Sequence, residues 1–186
     1  MGFTTSEHGL RWFALQVRPR YEKIVASVLR AKGYEAFLPL TVARRRWSDR
    51  TKALEVPLFP GYLFCRLDPL VRLPILLTPG VLSIVGVGKN PVPVEASEIE
   101  AVQAIVESGI GVEAWPWLEA GQRVRIEQGP LTGLEGILVD FKNSRRLVVS
   151  VTLLQRSVSA EIERDWVRPT PSPAAPALLE PSAQFA

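Results

Sequence analysis

Apolar and polar positions alternate in short blocks through the first hundred residues and switch twice to a helical period. Phe13, Leu15 and Val17 fall on one side of a predicted strand over residues 12–17, which Pro19 ends. From Arg20 onward Tyr21, Val25, Val28 and Leu29 recur at helical spacing, and Gly33 stands where a helix C-cap belongs. Residues 35–42 read as a second strand, interrupted by Pro39 and therefore near an edge. Residues 44–50 read as a polar turn, and 54–58 and 62–67 as strands divided by Pro60-Gly61. Asp68-Pro69 opens a short helical segment, and Thr78-Pro79-Gly80 turns the chain into a strand over 81–85. Ser97 and Glu100 have the Ser-x-x-Glu spacing of a capping box. The helix predicted there presents Ile99, Val102, Ile105 and Val106 on one side and can end at Gly109.

The pattern then changes. Residues 108–118 hold two glycines and a proline without a clear period, and read as a linker that includes Trp115 and Trp117. Beyond it, Val124 and Ile126 alternate with Arg123, Arg125 and Glu127, the mark of a strand with one buried face. Gly129-Pro130 and Thr132-Gly133 force turns, and Gly136 marks a bend or a close backbone approach. Five short strands are predicted near 122–127, 135–141, 145–151, 156–162 and 165–168. The expected architecture is a disordered N-terminus at 1–10 and an α+β domain at 11–107, an antiparallel sheet flanked by helices. The linker 108–118 leads to a small five-stranded SH3-like β-barrel at 119–169, then a disordered proline- and alanine-rich tail at 170–186.

Composition narrows the chemistry. A hydrophobic share of 47% over 186 residues suits a globular chain of one or two domains. No apolar run approaches the ~20 residues of a membrane helix, and the start lacks a basic-then-apolar signal. A cytoplasmic chain without a membrane partner is expected. The single cysteine, Cys65, excludes an internal disulfide and reads as a buried small hydrophobe. The single histidine, His8, has no orienting neighbour for catalysis. No phosphate loop and no metal-ligand spacing is present, so catalytic residues, metal and cofactor are all expected to be none. Charge is uneven: residues 10–106 hold 14 Lys/Arg against 8 Asp/Glu, while residues 119–169 hold 8 against 7. The N-terminal domain is the one to feel a nucleic-acid field.

Two signatures sharpen this reading. Residues 119–139 resemble a KOW motif, and Leu58-Phe59-Pro60-Gly61-Tyr62-Leu63-Phe64 together with Thr78-Pro79-Gly80-Val81 resemble elements of the NusG family of transcription elongation factors. The stretch Trp12-Phe13-Ala14-Leu15-Gln16-Val17 and the helix around Tyr21 and Lys23 match as well, so the resemblance covers roughly residues 11–169. The short connection between Val42 and Leu54 and the Pro57-Leu58-Phe59-Pro60 run are more similar to RfaH-type paralogues. The resemblance implies a non-catalytic, monomeric factor of transcription elongation, termination and antitermination. Its N-terminal domain would bind the clamp helices of the largest RNA polymerase subunit.

By that resemblance the polymerase contact falls to Trp12, Phe59, Tyr62 and Phe64, which equally suit the core of a sheet. Arg18, Arg20, Lys23, Arg44, Arg45 and Arg46 are expected to face upstream or non-template DNA, where the alternative is a solvated, solubilising surface. Leu153, Leu154 and Arg156 align with the segment that meets ribosomal protein S ten or Rho, or else form a plain strand end. A competing function is a KOW-type RNA-binding or ribosome-associated protein, with the loop Lys142-Asn143-Ser144-Arg145-Arg146 on an RNA backbone.

Overall fold

Neighbouring side chains of the first strand meet different partners, and that division organises the N-terminal half. The computed structural model describes residues 9–46, 51–115, 122–141, 144–163 and 166–170. His8, Trp47, Arg50, Trp117, Lys142, Asn143 and the proline-rich tail lie outside the described residues, as do the side chains of Arg44, Arg45, Arg46 and Trp115.

In chain order the elements are β1 (Arg11–Val17), α1 (Glu22–Ala31), β2 (Glu35–Phe37), β3 (Leu40–Arg46), β4 (Thr51–Pro57), β5 (Tyr62–Leu67), α2 (Leu73–Leu76), β6 (Val81–Ile84), β7 (Gly86–Val87), β8 (Asn90–Pro91) and α3 (Ala96–Glu107). They continue with β9 (Val112–Trp115), β10 (Gln122–Ile126), β11 (Glu135–Phe141), β12 (Ser144–Val151), β13 (Arg156–Ile162) and β14 (Val167–Pro169). The first sheet has the order β2-β5-β1-β6, with β1 antiparallel to both neighbours. On one face Phe13, Leu15, Val17, Leu63, Cys65 and Leu67 pack against Val25, Ala26 and Leu29 of α1 and Ile75 of α2. The amphipathic stripe of α1 thus buries as its spacing requires, and Gly33, at φ +86°, follows the C-cap Lys32. Each fully buried Leu or Phe here contributes about 1.5–3 kcal/mol.

The opposite face is also apolar. Trp12, Ala14 and Phe64 begin a second buried cluster, which runs through Ile99, Val102 and Ile105 of α3 into Val124, Leu147 and Val149 of the C-terminal sheet. That sheet has the order β14-β10-β11-β12-β13-β9. Its first five members are the five strands expected. The sixth, β9, lies within the stretch read as a linker, where Val112–Trp115 pairs antiparallel with β13. A strand only four residues long leaves no period to detect.

Two local expectations are corrected. Ser97 and Glu100 do not cap α3, because the N-cap is Glu95 and makes no side-chain capping bond. The extended backbone stops earlier than the motif suggests: Phe13 bridges Pro93, and the Val94 amide donates to the Trp12 carbonyl at 2.8 Å. Arg44, Arg45 and Arg46 are not turn residues either. β3 runs through Arg46 and pairs with β4 over seven positions, from Leu40↔Pro57 to Arg46↔Thr51, so the basic run extends the hairpin. Pro39 does separate two strands, but they belong to different sheets: β2 pairs with β5 and β3 with β4.

Gly136 makes the close approach its sequence context suggests. A Cβ there would lie 2.7 Å from the Val148 carbonyl oxygen and 2.9 Å from a Leu147 methyl. A backbone carbonyl within the β11–β12 ladder cannot step aside. Gly136→Ala is expected to destabilise the C-terminal sheet by about 1–3 kcal/mol, read as a lower denaturant midpoint for its unfolding.

Candidate functional site

The two Pro-Gly signatures lie far apart in sequence and meet at one place, the end of β1. The Val17 amide donates to the Gly61 carbonyl at 2.9 Å, and the Arg18 amide to the Gly80 carbonyl at 2.8 Å. Gly80 has φ +96°, and a Cβ there would sit 2.9 Å from Val25 and 3.0 Å from Tyr21. Only glycine brings this turn so close to α1. The junction between β1 and α1 is therefore gripped from both sides. Within it Arg20 adopts the left-handed region at φ +70°, a conformation uncommon outside glycine and asparagine.

The rings assigned to polymerase contact line the second face of the sheet. Phe59 meets Phe64 edge-on, with centroids 5.7 Å apart, and Phe37 stacks on Phe64 at 6.1 Å. Trp12, Phe59 and Phe64 are buried, whereas Tyr62 is half-buried. Alternation does place Tyr62 and Phe64 on one face of β5, since both join the cluster shared with Trp12. The structure thus brings the four residues together, beneath a cover built by α3 and the C-terminal sheet.

That cover carries the third residue set. Thr152–Leu154 form a single 3-10 turn, closed by Gln155 in the left-handed region at φ +49°. Leu153 and Leu154 are half-buried against the shared cluster, and the Arg156 guanidinium lies 5.4 Å from the centre of the Tyr62 ring. The Glu98 carboxylate of α3 accepts from the Thr152 hydroxyl at 2.6 Å and from its amide at 3.2 Å. At the other side the Thr41 hydroxyl of β3 donates to the Val112 carbonyl of β9 at 2.6 Å. A cleft of about 890 Å³ opens between α3 and the C-terminal sheet, lined by Glu98, Ala101, Ala104, Arg123, Leu131 and Val149 among others. Glu98 and Thr152 were not legible as a pair, because no local spacing links residues 54 positions apart.

The basic residues are not equivalent. Arg18 and Arg20 are exposed. Lys23 pairs with Glu55 of β4, Nζ to Oε2 2.9 Å, an exposed contact that adds little stability and partly offsets its charge. The backbone of Arg44, Arg45 and Arg46 belongs to β3, and their side chains lie outside the described residues. No helix among the described residues is long and apolar enough to cross a membrane.

Cys65 is fully buried, as expected. Burial, and then the Glu35 carboxylate nearby, push its thiol from the ordinary 9.0 up to about 12. A thiol whose neutral form the fold favours lends stability below its ordinary value and loses that contribution as pH rises from about 9 toward about 12.

Known proteins share this sequence pattern and fold. A family model described as "Transcription termination factor nusG" matches residues 10–103. The transcription termination/antitermination protein NusG of Borreliella burgdorferi is 25% identical over 174 residues, covering 82% of this chain and 94% of that protein. NusG of Thermus thermophilus is 26% identical, covering 76% and 84%, and NusG of Lactococcus lactis 27%, covering 82% and 89%. Among solved structures, one describing domain interaction in Thermotoga maritima NusG superposes with a TM-score of 0.53 at 19% identity, over 87% of this chain and 98% of that one.

The Cys65 environment sets a measurable outcome. At pH 8 a thiol reagent is expected to modify the native protein at least about a hundredfold more slowly than the urea-unfolded chain, followed by absorbance of the released chromophore.

Proposed function

We propose a function for this chain from one premise: it belongs to the NusG family of transcription termination and antitermination proteins. It acts by binding, without catalysis. The sheet face of Trp12, Phe59, Tyr62 and Phe64 receives the clamp helices of the largest RNA polymerase subunit, and Arg18 and Arg20 take phosphates of the adjoining DNA. The turn bearing Leu153, Leu154 and Arg156 recruits ribosomal protein S ten or Rho. By holding two parts of the polymerase together, the factor biases it toward one conformational state.

One observation carries this reading. The aromatic face is apolar enough to need a cover, and beyond α3 that cover is the C-terminal sheet, joined to the N-terminal half by a shared apolar cluster and by polar contacts at its edges: Arg156 on Tyr62, Glu98 on Thr152, and Thr41 on Val112. A groove that accepts one helix-and-sheet surface can accept a paired-helix projection in its place. The turn of Leu153, Leu154 and Arg156 packs beside Tyr62, so on this reading each partner would need the surface that the other half covers. Polymerase binding therefore competes with closure, and the apparent affinity falls by the fraction of molecules that are open.

Binding of the full chain to purified bacterial RNA polymerase tests this. Tyr62→Ala removes a half-buried ring, so it is expected to weaken binding about tenfold or more with the fold intact. Phe64→Ala is a poorer probe, because emptying that fully buried site costs about 3–5 kcal/mol of stability. Glu98→Ala loosens the cover and is expected to strengthen polymerase binding by about threefold to tenfold. Unchanged binding by Tyr62→Ala, with ribosomes retained in place of polymerase, would favour the RNA- or ribosome-associated role instead.

A further inference from the structure

Glu22 is a buried acid in a place where burial alone would select an apolar residue. It lies on the first turn of α1, 5% exposed, beside the buried Val25 and Ala26. A buried carboxylate persists only where donors satisfy it. For Glu22 the specific donor comes from another part of the chain: the Gly61 amide, 2.9 Å from Oε1.

Gly61 belongs to the turn that carries Phe59 and Tyr62. Its carbonyl accepts from the Val17 amide at 2.9 Å, and the turn closes with the Tyr62 amide on the Phe59 carbonyl at 3.0 Å. Glu22 therefore holds one side of Gly61 while β1 holds the other. Without an acceptor at position 22, the Gly61 amide would face a part-buried site unpaired, and the turn would rotate to find one. Any such rotation acts first on the adjoining Tyr62, the most accessible of the four rings.

We propose that Glu22 is a positioning residue for the polymerase-facing turn: its carboxylate fixes the Gly61 peptide, and through it the placement of Tyr62. The assignment rests on the polymerase-contact reading above. It predicts that binding and stability respond differently at this position, since an apolar side chain can fill the volume without supplying the acceptor.

The test uses the full chain with Glu22→Gln, Glu22→Leu, Tyr62→Ala and the Glu22→Leu/Tyr62→Ala double variant. Three quantities are measured: affinity for purified RNA polymerase, thermal midpoint, and the chemical shift and exchange rate of the Gly61 amide. Glu22→Leu is expected to release the Gly61 amide and to weaken binding about tenfold, more than any fall in its thermal midpoint accounts for. Glu22→Gln retains a carbonyl acceptor and is expected to stay within about threefold of the parent. On the Tyr62→Ala background Glu22→Leu should add little further loss, because both changes act through one ring.

An unmoved Gly61 amide in Glu22→Leu overturns the proposal whatever the polymerase does. So does a binding loss that merely tracks lost stability, or one fully additive with Tyr62→Ala. If Tyr62→Ala itself leaves binding unchanged, the contact assignment fails instead, while the Gly61 signal still reports on Glu22. Should Glu22→Leu not fold, Glu22→Gln decides: a held Gly61 amide with near-parent affinity supports the proposal, and a released amide or a tenfold loss rejects it.

Discussion

A sheet with two apolar faces cannot be satisfied by one layer of helix. β1 and β5 send Phe13, Leu15, Leu63 and Cys65 to one side and Trp12, Ala14 and Phe64 to the other. The first side is closed by α1 and α2, which the adjacent chain supplies. The second takes α3 and then a whole module from beyond it. The rest of the architecture follows from this second demand: the path of α3 across the sheet, the seat of the C-terminal strands, and the meeting of Tyr62 with Arg156. Hydrophobic burial does not distinguish among covers, so a face that one module fills remains available in principle to another surface of similar shape.

Much of the N-terminal fold was readable because its cues are local. Alternation in β1, the stripe of α1 and the glycine beyond its end all act within a few residues. The Pro-Gly signatures were readable as turns, but their shared purpose was not. Only the structure places the Gly61 and Gly80 carbonyls on consecutive amides, Val17 and Arg18. The capping box failed for a related reason. Ser97 and Glu100 have suitable chemistry, yet a bond between Val94 and Trp12 decides where the extended chain stops. Tertiary pairing overruled a local motif.

The candidate site was half legible. Its aromatic residues are apolar, and apolar residues announce burial without saying against what. Trp12, Phe59 and Phe64 therefore fitted either a core or an interface, and here they are buried with α3 and the C-terminal sheet in one apolar cluster. Charges were read less well. Lys23 and Arg20 look alike in a list of basic residues, yet one pairs with Glu55 while the other stands on an exposed left-handed bend. Free charge depends on neighbours across the fold, and no count of lysines and arginines contains that information.

The strand β9 has a bearing on how far the two halves can part. Only residues 108–111 separate the end of α3 from the start of β9, which is zipped to β13. Four residues span at most ~14 Å when fully stretched. While that zipper holds, those four residues bound any displacement of the C-terminal sheet from α3. Wider excursion requires β9 to peel from β13, so the reach of the module is metered by four backbone pairings and not by the length of the linker alone.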